Sequence, residues 1–289
     1  MNYRKLPDIE EKQKEIVYLV FKFRFINRKQ IQKLFGHKDP SRINKWLKDL
    51  VEKKYLGRIY SHKLLENTKP AIYYLNNNGI IWSRYEGMEW RHDDGIELKY
   101  LKKFYEDKHA SESFINHCIT MFDIYLQFKD AEKLNKNLAY DFETKTENWI
   151  ETQRSRHYRG DFNDVKEYIP DASVEKIVET EDKITTDLYF IILFDSHVPR
   201  YAMRYKVDQY IKCHEENDGK RIPGLTIEFP TLLLIFPTQQ KANQIGKYIK
   251  KQLDRSFVVN MNIQLTTYQK VIIEGVFGGE KTWKIIKAE

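Results

Sequence analysis

The stretch SRINKWLKDLVEKK, residues 41–54, decides how this chain folds. Its apolar residues are Ile43, Trp46, Leu47, Leu50 and Val51. They recur at 3, 4, 7 and 8 positions from Ile43, which puts them on one face of an α-helix. Arg42, Asn44, Lys45 and Lys48 fall on the opposite face. Ser41 follows Asp39 and Pro40, and its hydroxyl is expected to cap the helix by accepting an orphan backbone N–H. Taken alone, this is a core helix with a solvated basic face. The segments on either side give that face a use.

Upstream, residues 8–23 predict a first helix. Ile9, Ile16, Val17, Leu19, Val20 and Phe23 supply its apolar stripe, and Asp8 is its expected cap. Asn27 is placed to cap a short second helix over 28–35, with Ile31, Leu34 and Phe35 facing inward. Gly36 ends that helix, because glycine readily adopts the left-handed conformation. Downstream, YLGRIY (55–60) predicts a strand, 61–70 a polar loop containing His62, Lys63 and Lys69, and AIYYL (71–75) a returning strand. Helix, helix, turn, helix, strand, loop, strand is the order of a winged helix-turn-helix. In that arrangement the third helix enters the major groove and the loop reaches phosphates or the minor groove. The expected DNA contacts are therefore Ser41, Arg42, Asn44, Lys45, Lys48, His62, Lys63 and Lys69. The competing use of such a module is protein–protein contact.

Charge favours the nucleic acid. The chain has 289 residues and a net charge of +7. Residues 1–76 hold 18 Lys and Arg against 8 Asp and Glu, whereas the remainder holds 31 against 34. The positive field thus sits on the N-terminal quarter, where a polyanionic partner is expected. An anionic membrane is the rival partner, but no strongly amphipathic anchor accompanies the charge. The sequence contains no apolar run of 18 residues and no secretory h-region near its start, so no membrane association and a cytoplasmic location are expected. Cys118 and Cys213 are its only cysteines and read as two buried thiols.

The rest of the chain alternates buried strands with helices, as in an α/β domain. Helices are predicted over 76–86, 111–129, 201–214 and 239–253. Strands are predicted over 138–145, 188–195, 231–236, 257–265 and 271–276, and YIPDA (168–172) starts another. Trp283 falls in a last strand or in the tail, and QRSRHY (153–158) is a basic loop. The polar segment 89–97, with Gly95, marks a linker. The expected division is 1–88 for the winged helix, 89–108 for a linker or helical connection, and 109–289 for the α/β domain.

One constellation in the second domain bears on chemistry. Asp171 follows Pro170, Asp195 ends an apolar strand, and Lys206 and Tyr210 follow on a helix. Acid, spacer, strand-end acid and lysine resemble the PD-(D/E)xK nuclease-like fold. In active members two carboxylates hold Mg²⁺ and a lysine helps to activate water. Here the pattern is broken. With Asp195 as the motif's acid, His197 stands where lysine belongs; with Leu193 in the acid's place, the carboxylate is missing. Asp171 and Asp195 remain candidate metal ligands, and Asp171, Asp195 and Lys206 candidate catalytic residues. The structural alternative is that the two acids cap or solvate strand ends. No P-loop, GxGxxG, HExxH or second zinc half-site is present.

These pieces in this order resemble the replication-relaxation family of plasmid, phage and integrative-element proteins. The resemblance rests on FINRKQIQKLFG, SRINKWLKDLVEKKYLGRIY and KPAIYYLNNNG, then on the helix containing His117, YIPDA, FIILFD, MRYKVDQY and TLLLIFP. It spans roughly residues 10–285. It implies DNA binding linked to replication, mobilisation or transcriptional control, and a nuclease-like second domain. This chain departs from the pattern at Leu193, where relatives tend to carry an acid. The expectation is a two-domain, cytoplasmic DNA-binding protein of a mobile element whose second domain is a degenerate nuclease scaffold. That scaffold would serve homodimerisation, added DNA contact, or contact with relaxase or replication proteins. The rivals are a Mg²⁺-dependent nuclease or nickase and an adaptor in a relaxase or replication complex.

Overall fold

A helix with one apolar stripe is stable only where something covers the stripe. In the computed structural model, which describes residues 6–60, 69–85, 101–148, 169–180, 183–216, 229–256, 261–276 and 282–286, the stripe of 41–54 is covered. Ile43, Trp46, Leu47 and Leu50 are buried on one face of the helix Ser41–Glu52. Its start differs from the sequence expectation. Pro40 occupies the cap position and Ser41 is the first helical residue. The capping acceptor is Asp39, whose Oδ1 receives the Ser41 backbone N–H at 2.9 Å and its hydroxyl at 2.8 Å. A carboxylate accepts more strongly than a hydroxyl and suits the positive end of a helix. The backbone bond, then the hydroxyl bond, hold Asp39 below its ordinary pKa.

The chain divides into two compact units, Met1–Asp123 and Ile124–Glu289. The first contains α1 (Glu11–Phe23), β1 (Ile26–Asn27), α2 (Arg28–Leu34), α3 (Ser41–Glu52), β2 (Leu56–Ile59), β3 (Ile72–Leu75) and α4 (Asn77–Tyr85). A 3-10 helix, Lys102–His109, follows, and then α5 (Glu112–Leu134), within which the division falls. The three strands form an antiparallel sheet in the order β1-β3-β2, with Ile26 opposite Tyr73 and Leu56 opposite Leu75. Asn27 caps α2 as expected: its Oδ1 accepts the Gln30 N–H while Gln30 Oε1 accepts the Asn27 N–H. Gly36 follows α2 at φ +66°, the left-handed conformation that its lack of a Cβ permits.

The NNNG run at 76–79 secures the far end of α3. Asn78 donates its backbone N–H to Lys54 O at 3.0 Å and its side-chain amide to Lys53 O at 2.7 Å. Asn76 N–H donates to Tyr55 O at 2.9 Å. These bonds satisfy carbonyls that a helix end would otherwise leave open. Gly79 is obligatory here, because a Cβ would lie 2.2 Å from Tyr55 O.

The corner after α1 is held from a distance. Arg24 leaves the helix at φ +68°. Its guanidinium binds Asp107, with Nε 2.9 Å from Oδ2, and donates to Lys103 O at 3.1 Å. The Phe104 and Phe114 rings lie 4.7 and 5.2 Å from it. Asp107 is only 1% exposed, and burial raises its pKa against the pull of Arg24.

The second unit is built on a six-stranded mixed sheet in the order β4-β5-β6-β7-β8-β9. Strands β4 (Leu138–Thr144), β5 (Ala172–Glu179) and β6 (Ile184–Leu193) run antiparallel, and β6, β7 (Thr231–Phe236) and β8 (Ile263–Thr267) run parallel. Parallel neighbours need crossovers. Helices α6 (Arg200–Glu216) and α7 (Gln239–Leu253) lie on those crossovers. Their inner residues, among them Met203, Val207, Tyr210, Ile245 and Ile249, join Ile192, Phe194, Leu234 and Phe236 in one core. Strand β9 (Lys284–Ile286) closes the sheet antiparallel to β8, with Trp283 just before it. The mixed α/β class expected from the sequence is the class observed.

One predicted strand is corrected. Residues 271–276 do not form a strand; Tyr268–Glu274 is a helix, α8. Thr267 opens it by accepting the Lys270 N–H. The β-branched run Val271, Ile272, Ile273 favours a strand locally. Val271 alone is fully buried there and Ile273 is 73% exposed, so no sheet neighbour makes use of that preference. The strand expected over 257–265 begins at Ile263, and residues 257–260 lie outside the described residues.

Candidate nucleic-acid interface

The outer face of α3 is open to solvent. Ser41, Arg42, Asn44, Lys45 and Lys48 are all exposed, and the inner face of the helix is fixed. Trp46 is the centre of that fixing. Its Nε1–H donates to Glu10 Oε2 at 3.0 Å, and the rings of Phe35 and His37 meet its indole edge-on. Gln13, buried on α1, donates to Asp49 Oδ2 at 2.7 Å. Lys53 Nζ donates to the same oxygen at 2.8 Å. The acid on the shoulder of α3 is thus engaged in bracing the helix. Burial pushes the Asp49 carboxyl up, but the bonds from Lys53 and Gln13 and the charges of Lys53 and Lys45 bring it below its ordinary pKa.

Two of the five polar residues on the outer face have intrahelical neighbours. The Arg42 guanidinium lies 5.9 Å from the Trp46 ring, and Lys48 Nζ is 3.7 Å from Glu52 Oε1. Both contacts are at the surface, where such pairs contribute little and exchange readily. Lys69 is exposed in the connection from β2 to β3. His62 and Lys63 lie outside the described residues. The sequence reading missed Arg58, which is exposed on β2 with its guanidinium 5.6 Å from the Tyr60 ring. The signal available was a single basic residue within the apolar stretch YLGRIY.

In the second unit, Asp171 stands just before β5 and Asp195 just after its neighbour β6. The Asp171 carboxylate is occupied by the protein. Its Oδ2 accepts the Leu193 N–H at 2.9 Å and its Oδ1 is 3.5 Å from Lys145 Nζ. Its backbone N–H donates to Ile191 O at 3.0 Å, and its carbonyl accepts the Lys145 N–H at 2.8 Å. Lys206 reaches the same corner from α6, with Nζ 3.4 Å from Ile169 O and 5.2 Å from the Tyr210 ring. Tyr210 is fully buried, and burial and then the Asp171 charge raise its pKa. The Leu193 side chain is buried. Among the described residues no group of three or more His, Cys, Asp and Glu converges as metal ligands do. Cys118 and Cys213 are both buried.

Fold and surface define a two-unit mixed α/β protein that presents a basic helix on its N-terminal unit. A family model described as replication-relaxation matches residues 18–222, from within α1 through the end of α6. The match covers more than two thirds of the chain, which belongs to the replication-relaxation family. No curated protein matches it. Membership associates the chain with mobile-element replication or relaxation. Among the described residues no helix is long and apolar enough to cross a membrane.

Proposed function

We propose that this chain is a DNA-binding protein of a plasmid, phage or integrative element, acting in replication, mobilisation or transcriptional control, and that residues 11–85 work as a winged helix. The observation that carries this reading is the outer face of α3, where Ser41, Arg42, Asn44, Lys45 and Lys48 stand exposed on a helix braced from behind. Arg42 and Asn44 lie in the first turn of the helix and read base edges: arginine pairs with guanine and asparagine with adenine. Lys45, Lys48 and Lys69 meet phosphates, joined by His62 and Lys63 from the loop. The test is a gel shift on the footprinted site of the element. Arg42→Ala and Asn44→Ala should each cost about 1–3 kcal/mol on the cognate site and leave random DNA unchanged. Wild-type binding by both variants would remove α3 as the reader.

The second unit is, in this reading, a scaffold without cleavage activity. The corner around Asp171 is a poor fit for Mg²⁺. Both carboxylate oxygens have protein partners, one of them an ammonium, and Leu193 supplies no ligand. Hard divalent cations require several oxygen donors free to converge. Asp171 instead ties the start of β5 to the end of β6 and to Lys145. The unit serves dimerisation or contact with relaxase or replication proteins in the cytoplasm.

A further inference from the structure

The outer face of α6 combines features that a core helix does not need. Arg200, Tyr201, Arg204 and Tyr205 recur at i, i+1, i+4 and i+5, which gathers them on one side. Met203, Val207, Tyr210 and Ile211 occupy the other side and are buried in the core. Tyr201 is 76% exposed and Tyr205 62%, which makes them the two most exposed aromatic side chains of the described residues. Arg200 and Arg204 are exposed beside them.

The charge at this end of the helix is of one sign. Residues 199–207 contain Arg200, Arg204 and Lys206 and no acid. The next acid, Asp208, is half-buried and receives the Tyr248 hydroxyl at 2.7 and 3.0 Å. That bond sets the Tyr248 ring under Arg204, with the guanidinium 4.8 Å from the ring centroid. Arg204 is therefore steadied by α7. The loop before α6 is steadied as well, because Lys241 Nζ donates to Ser196 O at 2.7 Å and to Val198 O at 3.2 Å.

We propose that this face of α6 is a platform for single-stranded DNA, on which Tyr201 and Tyr205 stack unpaired bases while Arg200 and Arg204 hold the backbone. Interleaved aromatic and basic side chains on a surface match an unpaired strand, which offers bare π-faces and phosphates together. A duplex keeps its bases stacked and hides those faces. The spacing agrees. Tyr201 and Tyr205 are separated by about 6 Å of helical rise, well beyond the roughly 3.4 Å step of a duplex strand. The rings thus engage bases already released from the stack. The surface is additional to the duplex reading given to α3, and a protein associated with replication or relaxation meets opened strands.

The experiment uses the full chain and a fluorescein-labelled 20-nucleotide oligo(dT), followed by anisotropy at low salt, with a random duplex in parallel. Wild type should bind the single strand. Tyr201→Ala/Tyr205→Ala should weaken that binding by at least tenfold, and Tyr201→Phe/Tyr205→Phe should restore it, because phenylalanine stacks as well. Arg200→Ala/Arg204→Ala should weaken it and flatten its salt dependence. Duplex binding should stay at the wild-type level in all three. Arg42→Ala, in contrast, should affect the cognate duplex and leave oligo(dT) binding intact, so failure of the α3 reading is distinguishable from failure of this one. All the changed side chains are exposed, and a thermal melt of each variant checks its fold. Absence of oligo(dT) binding by wild type, or an unchanged affinity in the folded double-alanine variant, overturns the proposal. A dimer that becomes monomeric on Tyr201→Ala/Tyr205→Ala, with single-strand affinity unchanged, identifies the face as a protein interface instead.

Discussion

Trp46→Ala tests whether α3 is held as described. The indole is 9% exposed and sits between α1 and the turn that precedes α3. Truncating a buried tryptophan to alanine removes its contacts and leaves a cavity, typically at a cost of about 3–5 kcal/mol. Loss of the bond to Glu10 adds little, because Glu10 is exposed and regains water. A domain of ordinary stability has about 5–15 kcal/mol in hand, so most of the margin of the N-terminal unit disappears. The assay is urea unfolding of the full chain by circular dichroism and tryptophan fluorescence. The two units are expected to unfold in separable steps, and only the step of Met1–Asp123 should move. Trp46→Phe keeps an aromatic ring and forfeits the N–H donor, so it should cost less than half as much. DNA binding should fall with Trp46→Ala and recover largely with Trp46→Phe. A loss below about 1 kcal/mol in Trp46→Ala, with the midpoint and slope of wild type, would refute the burial argument.

Three further outcomes are expected. Duplex binding should be steeply salt-dependent, and Lys45→Ala and Lys63→Ala should each flatten the slope of log K against log salt by up to about one unit, measured by anisotropy between low and moderate salt. Arg24→Ala strands the buried Asp107 carboxylate and should destabilise the N-terminal unit by about 3–5 kcal/mol at neutral pH. Burial already raises the Asp107 pKa in the folded state, and without Arg24 it rises further, so the folded variant binds the proton more tightly than the unfolded chain. Its deficit should therefore shrink as pH falls and widen as pH rises through that raised value, which denaturation at several pH values reads directly. Supercoiled plasmid incubated with the protein in Mg²⁺ or Mn²⁺ should remain uncut, while Asp171→Ala and Asp195→Ala bind DNA as wild type does. Nicking that both substitutions abolish would promote the nuclease.

The sequence by itself determined what depends on neighbours along the chain. The 3.6-residue spacing of Ile43, Trp46, Leu47 and Leu50 gave α3 and its outward basic face, since helical periodicity is a local property. The apolar runs at 231–236 and the capped segment 239–253 likewise appear where they were expected, and Thr238 caps the latter through its hydroxyl. The residues around Asp171, with Leu193 and Lys206 among them, were legible as types.

Tertiary structure decided everything that rests on pairing across the chain. Strand β1 has two residues and exists because Ile26 and Asn27 find Tyr73 and Ile72. No periodicity marks so short a strand. Arg24 and Asp107 are 83 residues apart, and the asparagines at 76–78 open the helix predicted over 76–86, but only the structure shows Asn78 meeting the end of α3. Residues 271–274 became a helix because a β-branched run is a strand only where another strand is free to pair with it. Asp171 carries the same lesson. Sequence places an acid before a strand, but only the register of β5 against β6 sets its carboxylate on the Leu193 amide, because hydrogen bonds between strands depend on alignment that distant residues impose.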